Sequence, residues 1–265
     1  MIRAIAFGAH PDDCEIRAGG TAALWTRMGH AVKFVSTTNG DAGHHELRGA
    51  ALADRRRAEA IEAGRRLGGV EYEVLDHHDG ELMPTLELRR DILRLIREWR
   101  ADVVLGPRPN DYHPDHRNTG IAVQDAAYLV VVPSLVAAAA LRSNPVFLYY
   151  EDRFQRPNPF RPDIAVAIDD VIDLKMAALD AHVSQFYEWL PWVEGAAGEV
   201  PHDAQERLEW LRRTRSAAPG PETMAALGRW YGRSVARYAE AFEICEYGAQ
   251  PDRARVRELF PMLQV

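Results

Sequence analysis

Two polar segments of the chain carry the residue types that hydrolytic metal sites use. Residues 10–13 read His-Pro-Asp-Asp, and residues 113–116 read His-Pro-Asp-His. Two neutral imidazoles and one carboxylate can hold a zinc-class ion and leave a coordination position for water, the pattern of catalytic zinc. Such an ion lowers the pKa of a bound water to about 7 and polarises a carbonyl oxygen. Hydrolysis also needs a carboxylate as general base and a further histidine as acid or oxyanion partner, and the two segments supply both.

The positions of these segments along the chain are more informative than their composition, because proline and aspartate also favour ordinary turns. Each segment follows an apolar run typical of a buried strand, at Ile2–Phe7 and at Val103–Leu105. These are the first and fourth predicted strands, which are neighbours in the strand order 3-2-1-4, and ligands bind beyond their carboxyl ends. We therefore expect the two segments to face each other across one crevice.

Strand and helix patterns alternate through residues 1–187. This alternation predicts an α/β fold, a Rossmann-like, doubly wound and mostly parallel sheet with a C-terminal helical extension. The other predicted strands are residues 32–37, 72–75, 146–150 and 164–168. The predicted helices are residues 20–29, 46–67, 86–99, one from about residue 119, and 174–187.

Residues 188–265 have a different character and contain four of the six tryptophans: Trp189, Trp192, Trp210 and Trp230. The patterns predict two helices here, Asp203–Arg215 and Glu222–Tyr247. We expect a Rossmann-like core of residues 1–187 and a tryptophan-rich helical extension of residues 188–265. The extension would pack on the core or on a partner subunit, as a lid or as an interface.

Composition disfavours several classes of protein. Hydrophobic residues make up 47% of the chain and charged residues 27%, as in an ordinary globular protein. The net charge of −7 argues against general binding to nucleic acid or to anionic membranes, which needs a basic surface. The longest apolar stretch, residues 126–141, is broken by Pro133 and is shorter than the roughly 20 residues of a membrane-spanning helix.

Further classes are disfavoured by missing motifs. No Gly-x-Gly-x-x-Gly follows the first strand and no Gly-x-Ser-x-Gly is present, so neither a nicotinamide dehydrogenase nor a serine hydrolase is expected. The two cysteines, Cys14 and Cys245, form no disulfide framework, and the first residues do not resemble a secretory signal. We therefore expect a cytoplasmic protein.

The paired motifs resemble those of the PIG-L or LmbE-like zinc-dependent de-N-acetylases. Members of that family deacetylate N-acetylglucosaminyl-phosphatidylinositol, mycothiol and bacillithiol precursors, chitin disaccharides and glycopeptide antibiotic sugars. The resemblance covers roughly residues 3–187. It extends to Gly-Gly-Thr at residues 19–21, Thr-Asn-Gly-Asp-Ala-Gly at 38–43, Arg-x-x-Glu at 56–59, His-Asp-Gly at 78–80 and His-Val-Ser-Gln at 182–185.

This resemblance implies a role for each motif residue. His10, Asp13 and His116 would be the ligands of Zn²⁺, for which other divalent first-row metals can substitute. Asp12 would be the general base that takes a proton from the zinc-bound water. His113 would stabilise the tetrahedral oxyanion or protonate the leaving amine.

Residues around the motifs carry weaker implications. Arg56 and Asp79 match family positions that contact the sugar, although a helix-surface arginine and a turn aspartate are equally good interpretations. Some relatives carry an oxyanion-assisting tyrosine where this chain has Asp111, and Tyr112 is adjacent to His113, so no tyrosine is assigned that role. Arg17 replaces a residue that is commonly small, and it would either select an anionic substrate group or cap the surface.

The resemblance thus implies a zinc-dependent hydrolase of linear amide bonds that removes an N-acetyl or N-acyl group from an amino sugar or sugar conjugate. Its partner would be a small N-acetylated sugar, without nucleic acid or a membrane span, and we expect a homo-oligomer. Two alternatives stay open: a zinc amidohydrolase that acts on a non-sugar N-acyl amine, and a non-catalytic metal- or sugar-binding module. Binding alone would not require both Asp12 and His113, which counts against the module.

Overall fold

A seven-stranded sheet forms the centre of the protein, for which a computed structural model describes residues 1–232 and 236–264. The strands are β1 (Arg3–Gly8), β2 (Ala31–Thr38), β3 (Glu71–His77), β4 (Val103–Gly106), β5 (Val146–Tyr150), β6 (Ile164–Ala167) and β7 (Ala239–Ile244). The helices are α1 (Asp13–Arg27), α2 (Ala50–Arg66), α3 (Leu86–Trp99), α4 (Pro114–Leu129), α5 (Ile172–Ala181), α6 (Leu190–Val193), α7 (Ala204–Arg215), α8 (Pro221–Tyr231) and α9 (Arg253–Leu259). A π-helical segment, Ser184–Trp189, lies between α5 and α6.

The strand order is β3-β2-β1-β4-β5-β7-β6. The first five of these strands pair in parallel, and β7 runs antiparallel to both β5 and β6. The predicted order 3-2-1-4 is confirmed, as is the α/β, mostly parallel fold class. The switch point of the sheet therefore lies between β1 and β4, where the two motif segments emerge.

Both faces of the sheet are covered, and β1 shows how its sequence achieves this. Successive strand residues point to opposite faces, so a strand buried on both sides must be apolar throughout. Ala4 and Ala6 pack in a cluster with residues of α1 and α5, whereas Ile5 and Phe7 pack with residues of α3 and α4. All four are at most 1% exposed. Burial on two faces fixes β1 firmly beneath the site.

Two helices begin earlier than their apolar patterns indicated. The helix predicted from residue 20 begins at Asp13, and the one predicted from about residue 119 begins at Pro114. His113 is the N-cap of α4, where its ring nitrogen accepts from the backbone of Asp115, and proline suits the first helical turn. The predictions started too late because the first turns consist of the polar motif residues, which lack apolar periodicity.

The helix predicted at Glu222–Tyr247 is wrong in its second half. A helix covers Pro221–Tyr231, and Gly232, with φ of 71°, ends it in the left-handed conformation. Residues 233–235 of the predicted helix lie outside the described residues, and Ala239–Ile244 forms β7. Although alanine and glutamate favour helices, β7 is hydrogen-bonded on both sides within the sheet, so tertiary pairing overrides local propensity.

The remaining helix predictions need smaller corrections. The predicted helix at 174–187 is divided into α5 and the π-helical segment.

Trp210 of α7 is 3% exposed and packs, with Leu259 and Phe260, in the same apolar cluster as α1 and α5. The division of the chain at residue 187 stays a prediction. Across the described ranges, none of the helices is both long and apolar enough to cross a membrane.

A buried ion pair joins β7 to α5, and hydrogen bonds join the same carboxylate to α1. Glu240 is 4% exposed, and its carboxylate accepts hydrogen bonds from the backbone of Gly20 and Thr21 and from the Thr21 hydroxyl. Lys175 Nζ lies 2.7 Å from the same carboxylate and donates to the carbonyl of Ile16. Removing one member of a buried pair leaves the other charge without compensation, which costs more than losing an exposed pair.

We expect the Glu240→Ala substitution to lower the free energy of unfolding by about 3–5 kcal/mol, because Lys175 and two backbone amides lose their acceptor. Urea denaturation followed by circular dichroism measures this change. Glu258→Ala is the matched control, because Glu258 pairs with Arg255 at an exposed position and its loss should have almost no effect. Equal stability of the Glu240→Ala and Glu258→Ala proteins would contradict the structural role of Glu240.

Candidate active site

Three histidines meet where the carboxyl ends of β1 and β4 lie side by side. The ring centroids of His10 and His113 are 4.7 Å apart, those of His10 and His116 are 5.2 Å apart, and those of His113 and His116 are 5.1 Å apart. His10 follows β1, while His113 and His116 open α4 after β4. The two sequence motifs therefore form one cluster at the switch point of the sheet.

Three atoms in this cluster have the spacing that a metal ion requires. His10 Nδ1 lies 3.6 Å from Asp13 Oδ2 and 3.3 Å from His116 Nε2, and His116 Nε2 lies 3.5 Å from Asp13 Oδ2. A tetrahedral ion with bonds of about 2.0–2.2 Å separates its ligand atoms by about 3.3–3.6 Å. These three residues, all predicted ligands, thus form a triangle of the size that fits zinc or a similar ion.

Other groupings of ligand-type side chains overlap with this triangle. His10, His113 and His116 bring their ring nitrogens within 4.8 Å of one another, and His10 and His113 do the same with Asp79 and Asp115. We favour the triangle that contains Asp13, because His113 Nδ1 is already used as the helix cap and both other carboxylates lie against His10 Nε2.

Carboxylates hold the far side of both candidate histidine ligands. His116 Nδ1 lies 3.1 Å from Asp111 Oδ1, and His10 Nε2 lies 3.0 Å from Asp79 Oδ1 and 3.2 Å from Asp115 Oδ2. Metal-binding histidines commonly donate their second N–H to a carboxylate, which fixes the tautomer and the ring orientation. Sequence reasoning did not assign these roles to Asp111 and Asp115. The requirement of each imidazole for such a partner was the signal that could have found them.

The Asp13 carboxylate is fixed by the backbone of its own loop. Its Oδ2 accepts hydrogen bonds from the amides of Ala9 and His10, at 2.8 and 2.9 Å. Burial alone would raise the pKa of Asp13, but the neighbouring His116 and His10 outweigh it and hold this pKa far below the usual range. Asp13 therefore stays ionised, as a metal ligand must.

The adjacent Asp12 is in a different environment and has a strained backbone. Its φ of 133° lies in a region that residues other than glycine rarely adopt, and such strain clusters at functional sites. Burial raises the pKa of Asp12, and the negative charge of Asp13 raises it further, although Arg56 acts in the opposite direction. The pKa values of two neighbouring carboxylates are thus driven apart, a pattern that typically separates a proton acceptor from a permanently charged group.

His113 is suited to donate a proton or a hydrogen bond from one nitrogen. Its Nδ1 accepts from the Asp115 backbone at 3.2 Å, which leaves Nε2 to carry the hydrogen of the neutral ring. Burial lowers the pKa of His113, and the positive charges of His10 and His116 lower it further. The ring therefore stays neutral at pH 7 unless a substrate group changes its surroundings.

The two residues predicted to contact a sugar lie deeper than that prediction supposed. Arg56 is 2% exposed and donates to the carbonyls of Pro11 and Gly40, and its guanidinium lies 3.7 Å from carboxylate oxygens of both Asp12 and Asp79. Asp79 is 7% exposed and also accepts from the backbone of Gly43. Arg56 thus contacts the loop of residues 10–13 at the carbonyl of Pro11, and Asp79 contacts it at His10. For both residues, contact with a sugar stays a prediction.

Arg17 and Tyr112, the other residues that the sequence analysis noted, lie close to the histidine cluster. Arg17 donates to the carbonyl of Glu151 and lines a recess that also borders Asp13 and His116. Tyr112 is 73% exposed, and its ring lies edge-on to His113 and His116, with centroids 5.8 and 5.7 Å away. Neither side chain is part of the ligand triangle.

We expect Asp111→Ala to weaken metal binding about 10–100-fold, because His116 loses the carboxylate that orients its ring. Affinity is measured by competition with a chelator of known strength. Asp125→Ala is the matched control, since Asp125 lies on α4, the helix that carries His116, but pairs with Arg89 at the surface. Unchanged affinity in Asp111→Ala would show that His116 does not need this partner.

Comparison with known proteins supports the family resemblance of the paired motifs. Residues 5–127 match the family model described as PIG-L, GlcNAc-PI de-N-acetylase. A diacetylchitobiose deacetylase from Thermococcus kodakarensis is 36% identical over 196 residues, which cover 69% of this chain and 70% of that protein.

Solved structures share the fold. N,N′-diacetylchitobiose deacetylase from Pyrococcus horikoshii superposes with a TM-score of 0.68 at 27% identity, covering 92% of this chain and 84% of its own. The 4-carboxy-2-hydroxymuconate hydratase from Pseudomonas putida also superposes with a TM-score of 0.68, covering 95% of this chain and 99% of its own, but at 22% identity it shows likeness of fold alone. From its sequence relatives and its paired motifs, the chain belongs to the PIG-L family.

Proposed function

We propose that this protein is a zinc-dependent hydrolase that removes an N-acetyl group from an amino sugar or a sugar conjugate. The observation that carries the proposal is the triangle of His10, Asp13 and His116, with Asp12 and His113 beside it. The names of the relatives support the reaction type, since the T. kodakarensis and P. horikoshii proteins are both diacetylchitobiose deacetylases. A cytoplasmic location and a homo-oligomeric state stay predictions.

The donor set suits Zn²⁺, which accepts two imidazoles and a carboxylate and keeps a position for water, although other divalent first-row metals tolerate the same ligands. When bound, such an ion supplies a water of lowered pKa and polarises the acyl carbonyl. The protein's own contribution is to fix the three ligands. Asp111 and Asp115 orient the imidazoles, and the loop amides orient Asp13.

Asp12 and His113 would move the protons of the reaction. The attacking water forms a bond to the acyl carbon, the C–N bond breaks, and acetate and a free amine are released. Asp12 takes a proton from the water, a role for which its raised pKa is suited. His113 donates from Nε2, either to the acyl oxygen as negative charge develops there or to the departing nitrogen.

Variants of Asp12 and Asp13 distinguish the proton acceptor from the metal ligand experimentally. Asp12→Asn keeps the shape of the side chain but cannot accept a proton, so metal should remain while kcat falls about 10²–10⁴-fold. Asp13→Ala removes a ligand, so metal content and activity should fall together. His113→Ala should behave like Asp12→Asn, and His116→Ala like Asp13→Ala.

Metal content and kcat measured together on these four variants decide the assignment. Loss of metal in Asp12→Asn with retention in Asp13→Ala would reverse the two roles. Four variants that all keep metal and activity would place the active site elsewhere.

The proposed substrate class is tested by the release of acetate and free amine from the zinc-loaded protein. We expect N-acetylglucosamine conjugates to be deacetylated in preference to N-acetyl amino acids. Preference for the amino acids would instead favour the non-sugar amidohydrolase, and metal binding without any amide hydrolysis would favour the non-catalytic module.

A further inference from the structure

A buried cluster of polar side chains that the proposed reaction does not use lies at the start of α1. This Glu15 cluster consists of Glu15 in the first turn of α1, Tyr72 on β3 and His182 at the C-terminal end of α5. One oxygen of the Glu15 carboxylate lies 3.0 Å from His182 Nε2, and the other accepts a hydrogen bond of 3.3 Å from the Tyr72 hydroxyl. Three separate elements of the fold therefore meet at one carboxylate.

Deep burial makes the Glu15 cluster an unfavourable arrangement for stability alone. The side chains of Glu15 and His182 are both 0% exposed. The other ring nitrogen, His182 Nδ1, is also buried and has no hydrogen-bond partner among the described residues, which lowers stability. Because well-packed apolar side chains can replace a buried ion pair without loss of stability, the cluster indicates a role beyond packing.

The backbone connects the Glu15 cluster to Asp12. Asp12 is the N-cap of α1, and its carbonyl accepts a hydrogen bond of 3.1 Å from the amide of Ile16. Burial raises the pKa of the Tyr72 hydroxyl well above its usual range, whereas a hydrogen bond from the Asp12 backbone acts in the opposite direction. Glu15 lies within this same turn, between Asp12 and Ile16. A carboxylate that is held on two sides therefore holds the turn that begins at Asp12.

Asp12 needs such support because it lacks the interaction that usually fixes an aspartate at this position. An N-cap aspartate normally accepts a hydrogen bond from a backbone amide of the first helical turn through its carboxylate. The Asp12 carboxylate makes no such bond to the described turn, and its φ of 133° is unfavourable for a residue with a side chain. A strained conformation persists only where the surrounding structure enforces it.

We propose that the Glu15 cluster positions Asp12, so that its carboxylate is available to the attacking water instead of capping α1. His182 and Tyr72 fix Glu15, and Glu15 fixes the turn. The inference rests on the proposed function, because Asp12 accepts a proton only if the protein is a hydrolase. None of the three residues is assigned as a metal ligand or a proton carrier. Each is a positioning residue that acts through Asp12.

The first test removes one hydroxyl and measures release of acetate from N,N′-diacetylchitobiose by the zinc-loaded protein. We expect Tyr72→Phe to lower kcat about 10–100-fold with KM and metal content unchanged, since a small displacement of a reacting group has an effect of this size. In the Asp12→Asn background, the same substitution should change kcat less than twofold, because residues that act through one group are not additive.

Tyr149→Phe is the matched control for this substitution. The hydroxyl of Tyr149, on β5, also donates hydrogen bonds, to Gln124 and to Cys245. Tyr149→Phe should therefore lose comparable hydrogen bonding but keep the kcat of the wild type. A fall in kcat of equal size in Tyr72→Phe and Tyr149→Phe would overturn the proposal, as would a full additional loss from Tyr72→Phe in the Asp12→Asn background.

Two substitutions at His182 test the other side of the Glu15 cluster. His182→Leu leaves the buried Glu15 carboxylate without this partner, so kcat per metal-loaded, folded protein should fall about 10–100-fold. His182→Gln offers an amide N–H to the same carboxylate and should restore at least half of the kcat of the wild type. A kcat for His182→Leu equal to that of the wild type would show that His182 serves stability alone.

A second measurement does not depend on activity. Exchange of the Asp12 amide hydrogen, followed by NMR in the zinc-loaded protein, should be at least tenfold faster in Tyr72→Phe and unchanged in Tyr149→Phe. Unchanged exchange in Tyr72→Phe would overturn the proposal, while release of acetate by the wild type would leave the proposed function standing. A wild type that releases no acetate would overturn the proposed function and, with it, the purpose assigned to the Glu15 cluster.

Discussion

The pairing of β1 with β4 is the constraint on which the site depends. Ala4, Ile5 and Ala6 pair in parallel with Val103, Val104 and Leu105. This register brings the loop after β1 to the start of α4, and it is fixed because each strand is buried on both faces. A slip by one residue would reverse the faces that every side chain of β1 occupies, so the apolar core specifies the register strongly. The spacing between the loop of His10 and Asp13 and the helix of His116 is thus set by hydrophobic packing in the core of the sheet.

The site brings many charged side chains close together. Asp12, Asp13, Asp79, Asp111 and Asp115 all lie within one cluster of three histidines and the guanidinium of Arg56. The carboxylates raise the pKa of His10 even though burial alone would lower it. The strained backbone of Asp12 adds a cost of about 1–3 kcal/mol. Such an arrangement persists because the surrounding sheet and helices are stable enough to hold it, which indicates a functional rather than a structural purpose.

The sequence was sufficient for the parts of the structure that depend on local patterns. The apolar runs at β1 and β4, with polar motifs directly after them, predicted the crevice and the residues that meet in it. Partners that depend on tertiary contact were not predictable. In the sequence, Asp111 is an ordinary loop aspartate and Asp115 an ordinary aspartate at a helix start, and only the fold shows that they contact His116 and His10. β7 was missed for the same reason, because its alternating alanines and glutamates favour a helix until Glu240 is buried against α1.

The residues assigned to the proposed chemistry lie in one part of the chain. All five residues assigned to the metal and to proton transfer lie within residues 5–127, the part that matches the family model. Residues beyond that part also pack on it, since the ring of Trp192 stacks on that of His45. A hydratase with the same fold shows that the sheet alone does not determine the reaction. The side chains around the β1–β4 crevice, rather than the sheet itself, must therefore determine which reaction takes place there.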